Sequence, residues 1–176
     1  MLPKIILTDL DGVWTDGGMY YDEHNAELKK FNTSDSVGVL FCKLLGIEVG
    51  IITGENSNIV KRRADKLKIN ICCLGIKDKV KCAQDIIRGK YTWDEVAYIG
   101  DDINDINLLK MVGIKVVPNN APDYVKKHAT IRLNKNGGEG VFREFVETIL
   151  KENNKLDEVI DIYLRDISGS VQHDLH

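Results

Sequence analysis

The sequence predicts an α/β domain built around a mostly parallel sheet. Three observations carry this reading. Short apolar runs rich in β-branched residues (KIILTD, IEVGIIT, NICCL, VAYIG, IKVV and ATIRL) recur along the chain, each too short for a typical helix. Amphipathic helical stretches separate most of them, and strand–helix–strand units of one sheet connect right-handed. The chain has 176 residues, which favours one compact domain with a core of its own. That domain is set at residues 1–167, with a polar C-terminal tail over 168–176.

The elements follow in order. The first run, KIILTD, leads into TDLDGVWTDG. Next, Met19 to Tyr21 and Glu27 to Phe31 read as two arms around a polar turn, Asp22 to Asn25. This is a β-hairpin projecting from the core, about residues 19–31, and it leaves Met19, Tyr20, Tyr21, Leu28 and Phe31 without an obvious partner in the same chain. Ser36 to Leu45 places Val37, Leu40, Phe41, Leu44 and Leu45 on one helical stripe, closed by Gly46. Asn56 to Leu67 turns Ile59, Val60, Ala64 and Leu67 inward. Lys77 to Arg88 and Asn104 to Met111 follow the same logic, the second ending near Gly113. Beyond about Lys151 the chain turns polar, and Leu156, Val159, Ile160 and Tyr163 form one last amphipathic turn or two.

Composition excludes several classes. With 24 basic and 27 acidic side chains the net charge is −3, which argues against a general binder of nucleic acid or of membrane surfaces. No apolar run approaches the roughly 20 residues that span a bilayer. The N-terminus runs straight into a strand without a secretory pattern. The four cysteines, Cys42, Cys72, Cys73 and Cys82, show no C-x-x-C spacing and read as buried, reduced thiols of a cytoplasmic protein. Cys72 and Cys73, being adjacent, should face opposite sides of a strand.

Chemistry gathers at the strand ends. Asp9-Leu10-Asp11-Gly12 offers two carboxylates and a turn, and alternation would put both acids on one face. Close carboxylates repel unless a cation or a shared proton joins them. Alone, such a pair is equally a solvated turn. Thr53 and Gly54 end the second strand with a hydroxyl and backbone N–H groups that suit an anion, or simply an N-cap by Thr53, Asn56 or Ser57. Lys79 lies near a helix start, where the macrodipole gives a lysine nothing, so an anionic partner or plain solvation accounts for it. Asp101, Asp102 and Asp105 crowd the end of the fourth strand. One or two acids suit a helix's first turn, and three suggest Mg²⁺.

Taken together, in this order and at these strand ends, the four signals resemble the motifs of the haloacid dehalogenase superfamily of phosphohydrolases, from Asp9 to Asp105. The resemblance implies a Rossmann-like core with strand order 3-2-1-4-5, which brings Asp9, Asp11 and Asp101 to the switch point of the sheet. It implies Asp9 as the nucleophile and Asp11 as general acid/base, with Thr53, Gly54 and Lys79 binding the phosphoryl oxygens. Mg²⁺ would sit on Asp9, Asp101 and the backbone carbonyl of Asp11. Asp102, Asn104 and Asp105 would support the metal, its waters or Lys79. The stretches between Asp11 and Thr53 and between Thr53 and Lys79 are too short for a cap domain.

DLDGVWTDG, the hairpin, FNTSDS, GIKDK, GDDINDINLL and GGEGVFRE are similar to one capless branch, the phosphatases of phosphorylated 2-keto-3-deoxy sugar acids. That branch implies a homotetramer whose neighbouring chains complete the pockets. It also implies substrate contacts at Asn32, Thr33, Ser34 and Asp35 and at Glu55, Arg63 and Lys66. Members acting on the eight-carbon octulosonate 8-phosphate carry arginine where this chain has Glu55. Glu55 with Arg63 and Lys66 is similar to members that act on the nine-carbon 2-keto-3-deoxynononate 9-phosphate, in sialic-acid-type metabolism, with N-acetylneuraminate 9-phosphate a near neighbour. Two other classes compete. A receiver domain would need an acceptor Asp ending the third strand, where Cys73-Leu74-Gly75 stands. A non-catalytic oligomerisation module could lose its aspartates, all of which are present here.

Overall fold

The computed structural model of the chain describes residues 2–24 and 26–173, with side chains to residue 166. Its centre is a six-stranded parallel sheet. The strands are β1 (Ile5–Thr8), β4 (Glu48–Ile52), β5 (Ile71–Cys73), β6 (Val96–Ile99), β7 (Ile114–Val117) and β8 (Ile131–Arg132). Their spatial order is β5-β4-β1-β6-β7-β8, the expected 3-2-1-4-5 arrangement with a sixth strand added at the β7 edge. Two short antiparallel strands, β2 (Tyr20–Tyr21) and β3 (Glu27–Leu28), form the hairpin. The helices are α1 (Asp35–Leu44), α2 (Asn58–Leu67), α3 (Lys79–Ile87), α4 (Ile106–Met111), α5 (Asp123–Lys126), α6 (Val141–Glu152) and α7 (Leu156–His173). No cap domain occurs among the described residues, and no helix among them is long and apolar enough to cross a membrane.

Side-chain alternation along β1 divides the core. Ile6 points with Leu10 into one layer, filled by Val39, Phe41 and Cys42 of α1, Val60 and Ala64 of α2, and the apolar face of α6. Ile5 and Leu7 point into the other layer, against Ala83 and Ile87 of α3, Leu108 and Leu109 of α4, and Val125 of α5. All four residues of β1 are buried, as a strand covered on both faces requires. Trp14 stacks on Phe142 with ring centroids 4.5 Å apart and donates its indole N–H to Thr8 at 2.9 Å. Such stacking adds about 0.5–1.5 kcal/mol beyond burial. It fastens the loop after β1 to α6.

Local chemistry sets the element boundaries. Helix α2 begins at Asn58 rather than Asn56, because Ser57 caps Ile59 N–H. The residues before it pair with the loop after β5, through Ile76 N–H to Thr53 O (2.9 Å) and Gly75 N–H to Glu55 O (3.1 Å). Asp78 caps α3, so the helix starts at Lys79 and leaves Lys77 outside. Asp102 caps a 3₁₀ turn, Ile103–Asp105, which precedes α4 and replaces the first turn expected at Asn104. Helix α6 is not among the stretches read as helical from the sequence, yet Val141, Phe142, Phe145, Val146, Ile149 and Leu150 form its buried stripe.

Three further expectations are corrected. Helix α7 continues through Ser168 to His173, so the backbone of the supposed tail is helical that far. A nucleated helix extends at one hydrogen bond per residue even through weak formers such as Ser and Gly. Residues 174–176 lie outside the described residues. The cysteines are free, but only Cys42 is buried. Cys72 and Cys73 do face opposite layers, and they are half-buried because β5 is an edge strand. Phe31 is not exposed either. It packs against the α1–α6 layer, with the Arg63 guanidinium 5.6 Å above its ring. Met19, Tyr20, Tyr21 and Leu28 are exposed as expected. In the hairpin turn, Asp22 accepts from His24 N–H and Ala26 N–H (2.9 and 2.7 Å); Asn25 lies outside the described residues.

Candidate active site

Parallel pairing places the chemistry-bearing residues together. Thr8 is level with Ile51 of β4 and Ile99 of β6, and Asp9 N–H extends the ladder to Ile99 O at 2.9 Å. One or two residues beyond these strands come Asp9, Thr53 and Asp101. They line a ≈ 280 Å³ cavity together with Asp11, Gly12, Gly17, Met19, Gly54, Glu55, Asp102 and Asn104. A larger hollow, ≈ 430 Å³, lies at the opposite ends of β4 and β5, among Gly46, Ile47, Glu48, Lys68 and Ile71. It gathers no comparable set of reactive groups, so chemistry rather than volume marks the site.

Lys79 organises the floor. Its side chain is only 2% exposed, and its ammonium lies 3.0 Å from Asp9 Oδ2 and 2.6 Å from Asp105 Oδ1. Burial works against its charge, but the two carboxylates outweigh this and hold its pKa above the ordinary lysine value. Asp105 is completely buried and fully occupied. It accepts from Lys79, from the Tyr98 hydroxyl, and from the backbone N–H groups of Asp101 and Asp102 at 2.9 and 3.0 Å. It therefore fixes both the lysine and the loop after β6. Tyr98 was not singled out by the sequence. A hydroxyl in an otherwise aliphatic buried strand was the available signal, since a buried phenol needs a partner.

The acids around Lys79 are strained electrostatically. Burial, reinforced by Asp105, raises the pKa of Asp9, with Lys79 pulling the other way. Burial and the charges of Asp9, Asp105 and Asp102 push Asp101 up to about 8. Asp101 Oδ1 is buried with no hydrogen-bond partner, and oxygens of Asp9, Asp101 and Asp105 lie within 4.8 Å of one another. An orphaned carboxylate oxygen in an all-oxygen cluster suits a hard divalent cation. Gly12 makes the approach of Asp101 possible. It sits at φ +82°, and a Cβ there would fall 2.0 Å from Asp101 Oδ2.

Asp11 reaches the cavity by a different route from the strand alternation read in the sequence. β1 ends at Thr8, and the chain then turns on the Leu10 carbonyl, which receives the N–H groups of Val13, Trp14 and Thr15. Asp11 Oδ1 accepts from Thr15 Oγ1 at 3.1 Å and from Lys29 Nζ at 2.8 Å. Lys29, on the hairpin, is a contact the sequence reading missed. Thr53 is buried, and its hydroxyl accepts Glu55 N–H at 3.2 Å, which shapes the loop that presents Gly54 and Glu55.

Besides the buried Lys79 and Asp105, six residues named from the sequence do not line this cavity in the single chain. Asn32 accepts from Ser34 N–H and Oγ and donates to Gly138 O at 3.1 Å. Asp35 is buried, accepts Arg143 N–H at 3.1 Å and so caps α6, while burial raises its pKa to about 6. Thr33 is exposed. Arg63 donates to Asn32 O and Ser36 Oγ at 3.1 and 3.2 Å, and Lys66 is exposed on α2.

Comparison with known proteins agrees with this geometry. A family model described as haloacid dehalogenase-like hydrolase matches residues 77–145. The 3-deoxy-D-manno-octulosonate 8-phosphate phosphatase KdsC of Haemophilus influenzae is 34% identical over 153 residues, 86% of this chain and 85% of that protein. A probable YrbI family phosphatase from Pseudomonas syringae superimposes with TM-score 0.88 at 36% identity, covering 92% of this chain and 93% of the other. The Moraxella catarrhalis 3-deoxy-D-manno-octulosonate 8-phosphate phosphatase, solved with magnesium, phosphate and KDO, gives TM-score 0.87 at 31% identity, covering 92% and 93%. The strand-end acids, the uncapped sheet and this extent of shared sequence lead to one assignment: the chain belongs to the haloacid dehalogenase superfamily, in its capless sugar-acid phosphatase branch.

Proposed function

We propose that the chain is a Mg²⁺-dependent phosphatase of a phosphorylated 2-keto-3-deoxy sugar acid, acting through an aspartyl-phosphate on Asp9. The observation that carries this reading is the Asp9 carboxylate, held beside the buried Lys79 ammonium, in a cavity it shares with Asp11, Thr53 and Asp101. Asp9 attacks phosphorus, an O–P bond forms, and the bond to the sugar oxygen breaks. Asp11 gives that oxygen its proton. Water then attacks the same phosphorus, its proton passes to Asp11, and the bond to Asp9 breaks to release phosphate. Thr53, the Gly54 backbone and Lys79 hold the phosphoryl oxygens. Asp9, Asp101 and the Asp11 carbonyl would hold Mg²⁺, and Asp102 and Asn104, which line the same cavity, would support it. The metal, when bound, offsets the negative charge gathered there.

For the sugar, Glu55 on the cavity rim favours the nine-carbon 2-keto-3-deoxynononate 9-phosphate, because a carboxylate accepts from sugar hydroxyls where an arginine would donate. The names of the relatives favour the eight-carbon octulosonate 8-phosphate as a second reading. The exposed Met19, Tyr20, Tyr21 and Leu28 support a homotetramer that covers the hairpin and closes the open pocket with a neighbouring chain. Free cysteines among the described residues are in keeping with a cytoplasmic setting.

Measured kcat/KM on both sugar acids tests the substrate. A nine-carbon preference that reverses or collapses in Glu55→Arg supports the first reading, and an eight-carbon preference in the wild type replaces it with the second. Asp9→Asn should fold normally and show no turnover on either. Wild-type turnover in that variant would refute the aspartyl-phosphate mechanism.

A further inference from the structure

Lys29 belongs to the hairpin, yet its side chain is 1% exposed and its ammonium ends on the site. It donates to Asp11 Oδ1 at 2.8 Å and lies 3.6 Å from the Glu27 carboxylate. Thr15 Oγ1 donates to the same Asp11 oxygen at 3.1 Å. The other oxygen, Asp11 Oδ2, is buried with no hydrogen-bond partner. The carboxylate is thus held asymmetrically, with one oxygen doubly anchored and the other left over, inside the cavity that Asp11 shares with Asp9. A surface lysine on a loop would not be expected to bury its charge unless the contact repaid the lost hydration. Neighbouring Lys30, by contrast, is 68% exposed and only 3.8 Å from Asp16.

We propose that Lys29 is a positioning residue for the proton-exchanging carboxylate. By anchoring Oδ1 of Asp11 it leaves Oδ2 as the oxygen that gives and takes the proton, and it makes that geometry depend on how the hairpin is seated. This rests on the reading of Asp11 as general acid/base. An acid that is present but loosely aimed loses part of the roughly 10²–10⁴-fold that proton transfer contributes. The loss falls on esters whose leaving oxygen needs the proton, and hardly on those that depart as stable anions.

The test compares β-glycerophosphate, an alkyl ester, with p-nitrophenyl phosphate, whose leaving group needs no proton. The parameter is kcat/KM, which reports steps up to leaving-group departure, measured on the full-length enzyme with Mg²⁺. Lys29→Met should lower it about 10–100-fold on the alkyl ester and less than about 3-fold on the aryl ester. Lys29→Arg should restore a measurable part of the loss by keeping a donor in place. Equal losses on both esters would show that Lys29 only braces the fold or the assembly, and would overturn the proposal. Wild-type values for Lys29→Met on both would do the same. Asp11→Asn separates the two levels, since it should show the same leaving-group split, only larger. If it does while Lys29→Met does not, positioning by Lys29 is refuted and the acid/base reading stands. If Asp11→Asn shows no split, that reading falls, and the role of Lys29 with it.

Discussion

Gly137→Ala adds a single methyl group and should act far beyond its size. A Cβ at this position would stand 1.9 Å from the Gly12 carbonyl oxygen, 2.4 Å from its carbon and 2.8 Å from the Thr15 oxygen. All three are backbone atoms of the loop that carries Asp11, so no side chain can swing aside. Reaching even 3.0 Å requires the two backbones to part by about 1 Å, and a displacement of that order taken up by the Asp11 loop costs about 10²-fold in rate. The forced repacking itself costs about 1–3 kcal/mol. For a chain of this length that is about 2–4 °C of Tm for each kcal/mol. Gly46→Ala supplies the control. Gly46 also has a positive φ, +69°, but nothing lies within 4 Å of its Cβ position. It should lose about 1–2 kcal/mol to backbone strain alone and keep its kcat. Steady-state kinetics and thermal melts on the two variants decide the matter. A Gly137→Ala enzyme with wild-type kcat, or a Gly46→Ala enzyme that loses rate equally, would refute the claim that the 137 loop positions the site.

Stability of the metal-free protein should fall as pH rises from about 5.5 to 8.5. The folded-state pKa values of Asp9, Asp35 and Asp101 are all raised above the ordinary carboxylate value, Asp101 to about 8, so their protonated forms favour the fold and that contribution is lost as they ionise. Melting curves with chelator should show this slope, and added Mg²⁺ should raise Tm more at pH 8.5 than at 5.5. A Tm that climbs with pH in chelator would contradict it. Tyr98→Phe should cost about 1–2 kcal/mol in a denaturant titration, because it removes one of four donors to Asp105 while Lys79, Asp101 N–H and Asp102 N–H remain. Its kcat should fall less than that of Asp105→Ala, which frees Lys79 and the loop together.

The site was legible in the sequence wherever its geometry follows from strand order. Asp9, Thr53 and Asp101 each come just after a short apolar run, and parallel pairing of those runs is enough to bring them together. Lys79 was legible because a lysine at a helix start has no local reason to be there. What escaped depends on contacts between distant segments. Helix α6 starts behind Gly140 with no capping side chain of its own, and its cap is Asp35, 108 positions away. Lys29 and Lys30 are indistinguishable by local pattern, and only the folding of the hairpin back onto Asp11 buries the first. Phe31 looked exposed for the same reason, since its partner Arg63 comes from α2. The hydrogen bonds by which the Asn32–Asp35 stretch joins α1 to the 138–143 segment were hidden for the same reason.

The position of β1 has a consequence for motion. It lies between β4 and β6 with all four residues buried, so both edges and both faces are occupied. Its amide protons should be among the slowest in the molecule to exchange with solvent, opening only when the whole domain opens. Asp9 continues that strand and inherits its rigidity. Asp11 does not, because it sits past the end of the ladder and is tethered to a two-residue-per-strand hairpin exposed to solvent. Of the two carboxylates, Asp9 should therefore be freed only with the sheet, and Asp11 with the loop and hairpin contacts that hold it. Amide exchange in the hairpin should run well ahead of that in β1.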